Sequence, residues 1–320
     1  MLNFLHRAKK HVICIGECMV ELSRGDDGRF GLAFGGDTFN TAIYLARCGV
    51  DVGYATLLGD DPYSRGILDL ADAEGVSTDL IATIAGRSAG LYLIETSGSG
   101  ERTFYYWRDR APARELFSGE HALAASTAMN DARLIYLSGV TLSLYDAHGL
   151  DALHAALTAA KAGGVRVAID GNYRPRSWGS ATDGGARARE VFERFYRLAD
   201  IALPTFDDEQ LLWGDIAPEA TLARLTSLGV AEIALKRGAD GAIVSAKGHI
   251  EVVPVVAAVL ALDTTAAGDS FNAAYLASRL DGHSRVDAAR AGNALAGEKI
   301  RFRGAIMPRD AMPNSGLKTP

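Results

Sequence analysis

Short apolar runs alternate with stretches of helical spacing along most of this chain. The apolar runs that are typical of buried strands lie at 11–16, 52–58, 134–137, 165–169, 201–203 and 232–236. The helical patterns lie at 41–48, 62–74, 148–162, 186–198, 219–228, 270–280 and 284–301. Strands that alternate with helices are typical of a parallel sheet covered by helices on both faces. The pattern therefore predicts one doubly wound α/β domain over residues 1–320.

Other apolar segments alternate with polar residues at a period of two, which predicts hairpins. They form three pairs: 17–22 with 30–34, 89–96 with 102–108, and 242–245 with 250–253. The third pair follows the last core strand and is expected at the edge of the sheet. The first two predict a small β-sheet lid, formed by segments at about 17–35 and 89–109. Lid and core should meet over a cleft at the carboxyl ends of the strands, where such sheets bind ligands.

The stretch 263–271, Asp-Thr-Thr-Ala-Ala-Gly-Asp-Ser-Phe, joins an apolar segment at 255–262, expected to be a strand, to the helix at 270–280. Small residues at 266–268 leave the backbone open to a ligand. The free amides and the positive dipole end of a helix start form an anion site. A carboxylate at Asp269 would repel a phosphate there, unless it takes a proton from an attacking hydroxyl. Capping of the helix by these Thr, Asp and Ser side chains is the alternative.

A second candidate site is the run Gly35-Gly36-Asp37 with Asn40. Paired glycines let a polyol approach the backbone, and the Asp37 and Asn40 side chains can bind its hydroxyls. A turn followed by an Asp helix cap explains the same residues equally well.

Two more stretches carry candidate ligand groups. On the strand at 103–108, alternation places Tyr106 and Arg108 on the same face as Phe104. Packing plus a solvated charge is the commoner role of such a strand. The stretch 170–178 follows a core strand, and its arginines suit a carboxylate or a phosphate because guanidinium forms two parallel bonds to either.

Composition removes several classes of function. The 320 residues carry a net charge of −6, so no broad basic face for nucleic acid is expected. Neither an apolar run of 18 residues nor a signal-peptide pattern is present, so neither a membrane span nor secretion is expected. The three cysteines form an odd set without a C-x-x-C pair, which indicates a reducing cytoplasm. P-loop, dinucleotide-binding and H-E-x-x-H motifs are absent from the sequence.

Four of these stretches resemble motifs of one enzyme family. The stretch 263–271 resembles the D-T-x-G-A-G-D signature of ribokinase-like sugar kinases, with Ala266 in place of the first glycine. The run at 35–40 resembles their G-G-x-x-x-N sugar motif. The runs E-R-T-F-Y-Y-W-R at 101–108 and D-x-N-Y-R-P-x-x-W at 170–178 resemble the 2-keto-3-deoxygluconate kinases of that family.

The resemblance implies a ribokinase-like fold and ATP-dependent phosphorylation of 2-keto-3-deoxy-D-gluconate, with Asp269 as the general base. The catalytic turn would be Ala266, Ala267, Gly268 and Asp269. Substrate contacts are implied for Gly35, Gly36, Asp37, Asn40, Tyr92, Tyr106, Arg108, Arg174 and Asp269. Nucleotide contacts are implied for Asn172, Arg174, Lys236, Gly238, Gly241, Ala266, Gly268 and Asn293.

The resemblance also implies Mg²⁺, and it leaves a monovalent cation open. The family's N-x-x-E element, which organises Mg²⁺ through water, falls near 204–209, but its Asn is absent. Glu209 is the assigned residue, and Asp207 and Asp208 stay open. An acidic first turn of a helix explains the same residues.

Two other functions stay open: a kinase of a neutral sugar such as fructose, and a non-catalytic sugar-binding protein on the same fold. The lid hairpin at 89–109 has an aromatic face too large to leave in water, so it should cover the cleft or a partner subunit. A homo-oligomer joined at least partly through the lid strands is expected.

Overall fold

The computed structural model describes residues 12–25, 27–96, 102–179, 184–256 and 259–313. The strands are β1 (Val12–Ile15), β2 (Met19–Arg24), β3 (Phe30–Gly35), β4 (Val52–Gly59), β5 (Ile81–Ile84), β6 (Leu91–Thr96), β7 (Arg102–Trp107), β8 (Leu134–Ser138), β9 (Arg166–Asp170), β10 (Ile201–Ala202), β11 (Glu232–Lys236), β12 (Ala242–Ala246) and β13 (His249–Val253). The helices are α1 (Asp37–Arg47), α2 (Pro62–Ala73), α3 (His121–Met129), α4 (Gly139–Leu144), α5 (Ala147–Ala162), α6 (Gly184–Tyr196), α7 (Phe206–Trp213), α8 (Pro218–Ser227), α9 (Ala267–Leu280) and α10 (Arg285–Lys299). Among the described residues, no helix has the length and apolar character needed to cross a membrane.

The larger sheet has the strand order β13-β12-β11-β10-β9-β8-β1-β4-β5. The strands from β11 to β5 pair in parallel, whereas β12 and β13 pair antiparallel. The hairpin expected at the sheet edge is therefore confirmed. The carboxyl ends of the parallel strands meet along one side of the sheet, which is where the loops of the candidate site lie.

Alternation along the core strands divides the hydrophobic residues between two faces. Ile13 and Ile15 of β1 pack into a cluster that includes residues of α3, α5, α6, α7 and α8. Val12 and Cys14 pack into a second cluster, with residues of α1, α2, α9 and α10. Because both faces of the central strands are covered, β1, β4 and β8 are buried along their whole length. The predicted doubly wound architecture is confirmed.

A separate four-stranded sheet, the lid, has the order β3-β2-β6-β7. β2 pairs antiparallel with β3, and β6 pairs antiparallel with β7, so both lid hairpins are confirmed. Within these segments, residues 26 and 97–101 lie outside the described residues. Cross-strand register places Tyr92 opposite Tyr106 on one face of the lid, and Leu93 opposite Tyr105 on the other.

The strand expected at 255–262 is wrong, because the described part of that segment, 255–256 and 259–262, contains none. Val256 and Leu260 are 96% and 94% exposed. β13 already forms the edge of the sheet, so a strand here would lie outside it. The apolar side chains of Val255 and Val259 instead line a cavity beside α9.

Candidate active site

The turn before α9 carries the first candidate group. Ala266 precedes the helix in the left-handed conformation, with φ 58° and ψ 17°. A side chain with a Cβ costs about 1–2 kcal/mol there, so the surrounding contacts must hold this geometry. Ala267, Gly268 and Asp269 follow as the first turn of α9, and the first amides of a helix have no intrahelical acceptor. We call residues 264–268 the anion turn, because its amides and the helix dipole favour a negative ligand.

Asp269 lies immediately after the anion turn and is 8% exposed. Its Oδ2 accepts a hydrogen bond of 2.8 Å from Nδ2 of Asn40. Burial, together with the carboxylates of Asp37 and Asp170, raises the pKa of Asp269 to about 8, although the Asn40 hydrogen bond and Lys236 oppose this rise. The Asp269 carboxylate is therefore a stronger base than an ordinary Asp, and the fraction in this form grows as the pH approaches 8.

Gly35 ends β3, and α1 begins at Asp37, earlier than the helix expected at 41–48. Asp37 is not the helix cap. Gly36 occupies the cap position, and Asp37 lies in the first turn. The Asp37 carboxylate accepts a bond of 2.6 Å from Nδ2 of Asn172, and burial raises its pKa. A Cβ at Gly36 would lie 2.0 Å from the backbone oxygen of Glu17, so close packing against the lid already requires this glycine.

A buried ion pair that the sequence did not predict lies beside Gly268 of the anion turn. Nζ of Lys236 donates to Oδ1 of Asp170 and to Oδ1 of Asn272, both at 3.0 Å. Nδ2 of Asn272 donates to the second Asp170 oxygen at 2.8 Å. This triangle fixes the position of the Lys236 ammonium. Asp170 is the last residue of β9 and the first of the D-x-N-Y-R run, and this placement at the carboxyl end of a strand is the signal that could have identified it.

A cavity of about 780 Å³ lies between lid and core, and most of the residues predicted to bind the sugar line it. We call it the sugar cavity. Those that line it are Gly36, Asp37, Asn40, Tyr92, Tyr106, Arg108, Arg174 and Asp269. Gly35 does not, but a Cβ there would lie 2.7 Å from the Tyr92 hydroxyl. The Tyr92 hydroxyl donates to Oε2 of Glu21.

Both arginines in this cavity have acidic partners. Nη2 of Arg108 lies 2.5 Å from Oε2 of Glu17, and both side chains are nearly buried. Nη1 of Arg174 donates to Oδ1 of Asp208 at 2.9 Å. Burial raises the pKa of Glu17 and of Asp208, and the neighbouring arginine opposes the rise in each case. Neither partner was predicted, because each is far from its arginine in sequence.

A second cavity, of about 600 Å³, is lined by residues predicted to bind the nucleotide, namely Lys236, Gly238, Gly241, Gly268 and Asn293. We call it the nucleotide cavity. The rest of its lining is largely apolar and includes Val255, Val256, Val259 and Phe271. Thr264, Ala267, Gly268 and Lys236 line both cavities, which therefore meet at the anion turn. Asn172 and Ala266 were also predicted to bind the nucleotide, but they line only the sugar cavity.

The structure does not place Glu209 at either cavity. Glu209 is 2% exposed, and its Oε2 accepts a bond of 2.7 Å from Arg224. Burial raises its pKa to about 7. Asp207 and Asp208, in the same first turn of α7, do line the sugar cavity. Successive helical positions point about 100° apart, so this turn directs two acidic groups to the cavity and the third into the core.

Comparison with known proteins gives concordant matches. The family model described as pfkB family carbohydrate kinase matches residues 9–312. A 2-dehydro-3-deoxygluconokinase from Escherichia coli strain K12 is 43% identical over 313 residues, covering 95% of this chain and 99% of that protein. A protein of the same name from Dickeya dadantii strain 3937 is 43% identical over 312 residues, with the same coverage. A solved structure from Escherichia coli, described as a ribokinase II in complex with ATP and Mg²⁺, has a TM-score of 0.82 and 25% identity, covering 95% of this chain and 96% of that one.

Proposed function

The chain belongs to the pfkB family of carbohydrate kinases, and from this premise we propose that it phosphorylates 2-keto-3-deoxy-D-gluconate with ATP. This sugar acid is the 2-dehydro-3-deoxygluconate in the name of the 43% identical relatives. The observation that carries the proposal is the junction of the two cavities. A cavity containing Arg108 and Arg174 opens onto the anion turn, and a largely apolar cavity reaches the same turn from the other side. The product is 2-keto-3-deoxy-6-phosphogluconate.

Asp269 acts as the general base. The terminal hydroxyl of the sugar acid gives its proton to a carboxylate oxygen of Asp269 and forms a bond to the γ-phosphorus. The bond from that phosphorus to the bridging oxygen breaks, and ADP leaves. Asn40 holds one Asp269 oxygen at 2.8 Å, which fixes the direction of the other. Positioning and electrostatics supply most of the catalysis in such transfers.

Negative charge on the transferring group is stabilised by the anion turn and by Lys236. The turn offers backbone amides at the positive end of α9. The Lys236 ammonium lines both cavities, and Asp170 and Asn272 hold it in place. A cation held in this way needs little reorganisation during the reaction.

Acidic groups fit a magnesium ion at the cavity wall. Asp207 and Asp208 line it, and carboxylate oxygens are ligands that Mg²⁺ accepts. Among the described residues, no group of three or more potential metal ligands occurs. That suits Mg²⁺, which is usually held by one or two carboxylates together with substrate phosphates. When bound, Mg²⁺ neutralises phosphate charge, and we assign its water-mediated contacts to Asp207 or Asp208 in preference to Glu209.

The substrate carboxylate binds Arg108 and Arg174, and Tyr106 adds a hydroxyl. Each guanidinium has five N–H donors, so its acidic partner leaves others for a ligand. The cavity thus offers two cations to an acid, whereas a neutral sugar would leave them without a ligand charge. This preference distinguishes the proposal from a fructose kinase.

A coupled kinase assay tests the function with 2-keto-3-deoxygluconate, fructose and ribose at equal concentrations. We expect a kcat/KM for the sugar acid at least about a hundredfold above either neutral sugar, since charge-assisted bonds contribute about 1.5–3 kcal/mol each. Equal values for fructose and the sugar acid would assign the chain to the neutral-sugar kinases. No transfer to any sugar would favour the non-catalytic binding protein.

The outer face of the lid supports a homo-oligomer. Phe30, Leu32, Tyr105 and Trp107 are between 45% and 61% exposed there, on the face opposite Tyr92 and Tyr106. An exposed apolar face of this kind marks an interaction site. Light scattering should give a mass above that of one chain, and Trp107→Lys should lower it. A monomer at micromolar concentration would contradict this assembly.

A cytoplasmic location completes the proposal. Cys14, Cys18 and Cys48 are free thiols in the structure, and the first two are buried. Free thiols persist where the compartment is reducing.

A further inference from the structure

Lys299, the last residue of α10, is a lysine with 0% of its surface exposed. Its Nζ donates to the backbone oxygens of Asp263 and Phe302, both at 3.1 Å. Burial of an ammonium group is costly unless hydrogen bonds and nearby negative charge replace the lost water. The carboxyl end of α10 supplies part of that negative charge through its dipole. Lys299 lines neither cavity, so the proposed sugar and nucleotide contacts do not use it.

The segment that Lys299 holds leads directly into the anion turn. Asp263 is tied to the end of α10 by its backbone N–H, which donates to Ile300 O at 3.0 Å. Its carboxylate accepts from the backbone N–H of Thr265 and of Gly304, each at 2.8 Å. Asp263 therefore connects the anion turn to the chain after α10, and the Lys299 ammonium bonds to both sides of this connection.

We propose that Lys299 is a built-in monovalent cation that positions the anion turn. Backbone carbonyl oxygens around a single positive charge are the environment in which proteins bind K⁺. A lysine ammonium is a compact charge with three donors, and here it is supplied by the chain itself. The enzyme consequently needs no K⁺ or NH₄⁺ for activity. This inference rests on the proposed kinase function, because its main readout is phosphoryl transfer.

Lys299 is a positioning residue, since it acts through Asp263. Without the ammonium, the oxygens of Asp263 and Phe302 lose a donor and the charge that holds them together. The anion turn then loses its alignment with Asp269 and the transferring phosphoryl group. Such misalignment lowers kcat more than it raises the KM for the sugar.

The first test uses the wild-type enzyme. Its kcat is measured in chloride salts of K⁺, Na⁺, NH₄⁺ and tetramethylammonium at constant ionic strength, with Mg²⁺ fixed. We expect values within about twofold of one another, because the cation position is filled by the chain. Activation of several-fold by K⁺ or NH₄⁺ over tetramethylammonium would overturn the proposal.

The second test uses Lys299→Met, which removes the charge and keeps the chain length, and Lys299→Ala, which leaves room for an ion. In tetramethylammonium we expect kcat to fall at least about tenfold in both. Addition of NH₄⁺ should restore a measurable part of kcat in at least one variant. Lys247→Met, at an exposed lysine between β12 and β13, is the control and should stay at the wild-type value.

Several outcomes would contradict this role. Full kcat in a folded Lys299→Met without added cation would show that the charge is not needed. A loss that NH₄⁺ restores in neither variant would assign Lys299 to packing alone. If both variants fail to fold, the salt comparison on the wild-type enzyme decides the question.

Failure of the kinase function can be separated from failure of this inference. If the wild-type chain phosphorylates no sugar, the dissociation constant for MgATP replaces kcat as the readout. It should be the same in K⁺ and tetramethylammonium for the wild-type protein, and it should depend on NH₄⁺ for Lys299→Ala. A wild-type dissociation constant that falls several-fold in K⁺ would overturn the inference even then.

Discussion

The sugar cavity and the nucleotide cavity meet at the anion turn, but they are lined by different types of residue. The sugar cavity is lined by charged side chains, and several of them already have partners, such as Arg108 with Glu17 and Arg174 with Asp208. The lining of the nucleotide cavity is largely apolar and includes three valines, several glycines and Phe271. We therefore expect one side to recognise its ligand by charge, and the other by shape and backbone. Substitutions on the two sides should therefore change different kinetic constants, and a substitution of Asp269, the proposed base, should change the rate.

The largest effect is expected at the junction. Asp269→Asn keeps the shape of the side chain and removes the base, so kcat should fall by about 10² to 10⁴ or more. MgATP should still bind, because the nucleotide cavity is unchanged. The measurements are steady-state kinetics and calorimetric titration with MgATP. Near-normal turnover would assign the base to another residue.

A smaller effect is expected on the charged side. Arg108→Ala removes one cation and should raise the KM for the sugar acid by about ten- to a hundredfold, while the KM for ATP changes little. Thermal unfolding is measured in parallel, because Glu17 is left buried without this cation. Arg24→Ala, at a largely exposed lid arginine, is the matched control and should leave both constants unchanged. An equal rise in both KM values would break the division between the cavities.

A still smaller effect is expected on the apolar side. Asn293 lines the nucleotide cavity and its Nδ2 donates to Val253 O at 3.0 Å. Asn293→Ala should raise the KM for ATP by about three- to tenfold, the value of one or two neutral hydrogen bonds, and should leave the sugar KM unchanged. Asn130→Ala, at an exposed position after α3, serves as the control. A selective change in the sugar KM would contradict this assignment.

The smallest effect is one of stability, and it depends on pH. Burial raises the pKa of Asp269 in the folded protein to about 8. The stabilisation that protonated Asp269 gives the folded state is therefore complete below the unfolded-state pKa of about 3.9. It is lost as the pH rises through the folded-state pKa. Asp269→Asn cannot ionise and should raise Tm by a few degrees at pH 8.5, but by less at pH 5. In the wild-type enzyme, kcat/KM should rise with pH toward 8 as the carboxylate forms. A gain in Tm that is larger at pH 5 would refute the raised pKa.

The core was predictable because its signal is local. Apolar runs such as the one containing β8 lie at the centre of a sheet covered on both faces, where every side chain is buried. α3, by contrast, has the sequence His-Ala-Leu-Ala-Ala-Ser-Thr-Ala-Met, which contains no clear apolar stripe, and it was not expected. The prediction of a strand at 255–262 was wrong for the opposite reason, because the apolar pattern is present and the element is not. The segment is apolar enough for a strand, but its valines line the nucleotide cavity.

The residues of the site were predictable from motifs, whereas their pairings were not. Tyr106 and Arg108 reach the predicted cavity together because they lie two residues apart, Tyr106 in β7 and Arg108 directly after it. The partnership of Arg108 with Glu17 depends on how two distant lid segments meet, which no local pattern specifies. The same holds for Glu209, whose core-facing position depends on where Arg224 of α8 packs.

The wall common to both cavities also defines a shape for inhibitors. Thr264, Ala267, Gly268 and Lys236 border both spaces, so a single molecule can pass from one to the other at this wall. A bisubstrate compound that joins a sugar acid to adenosine through a short phosphate chain would place its carboxylate near Arg108 and its adenine ring beside Phe271. Tethering makes the second contact intramolecular, so such a compound should bind more tightly than either half alone.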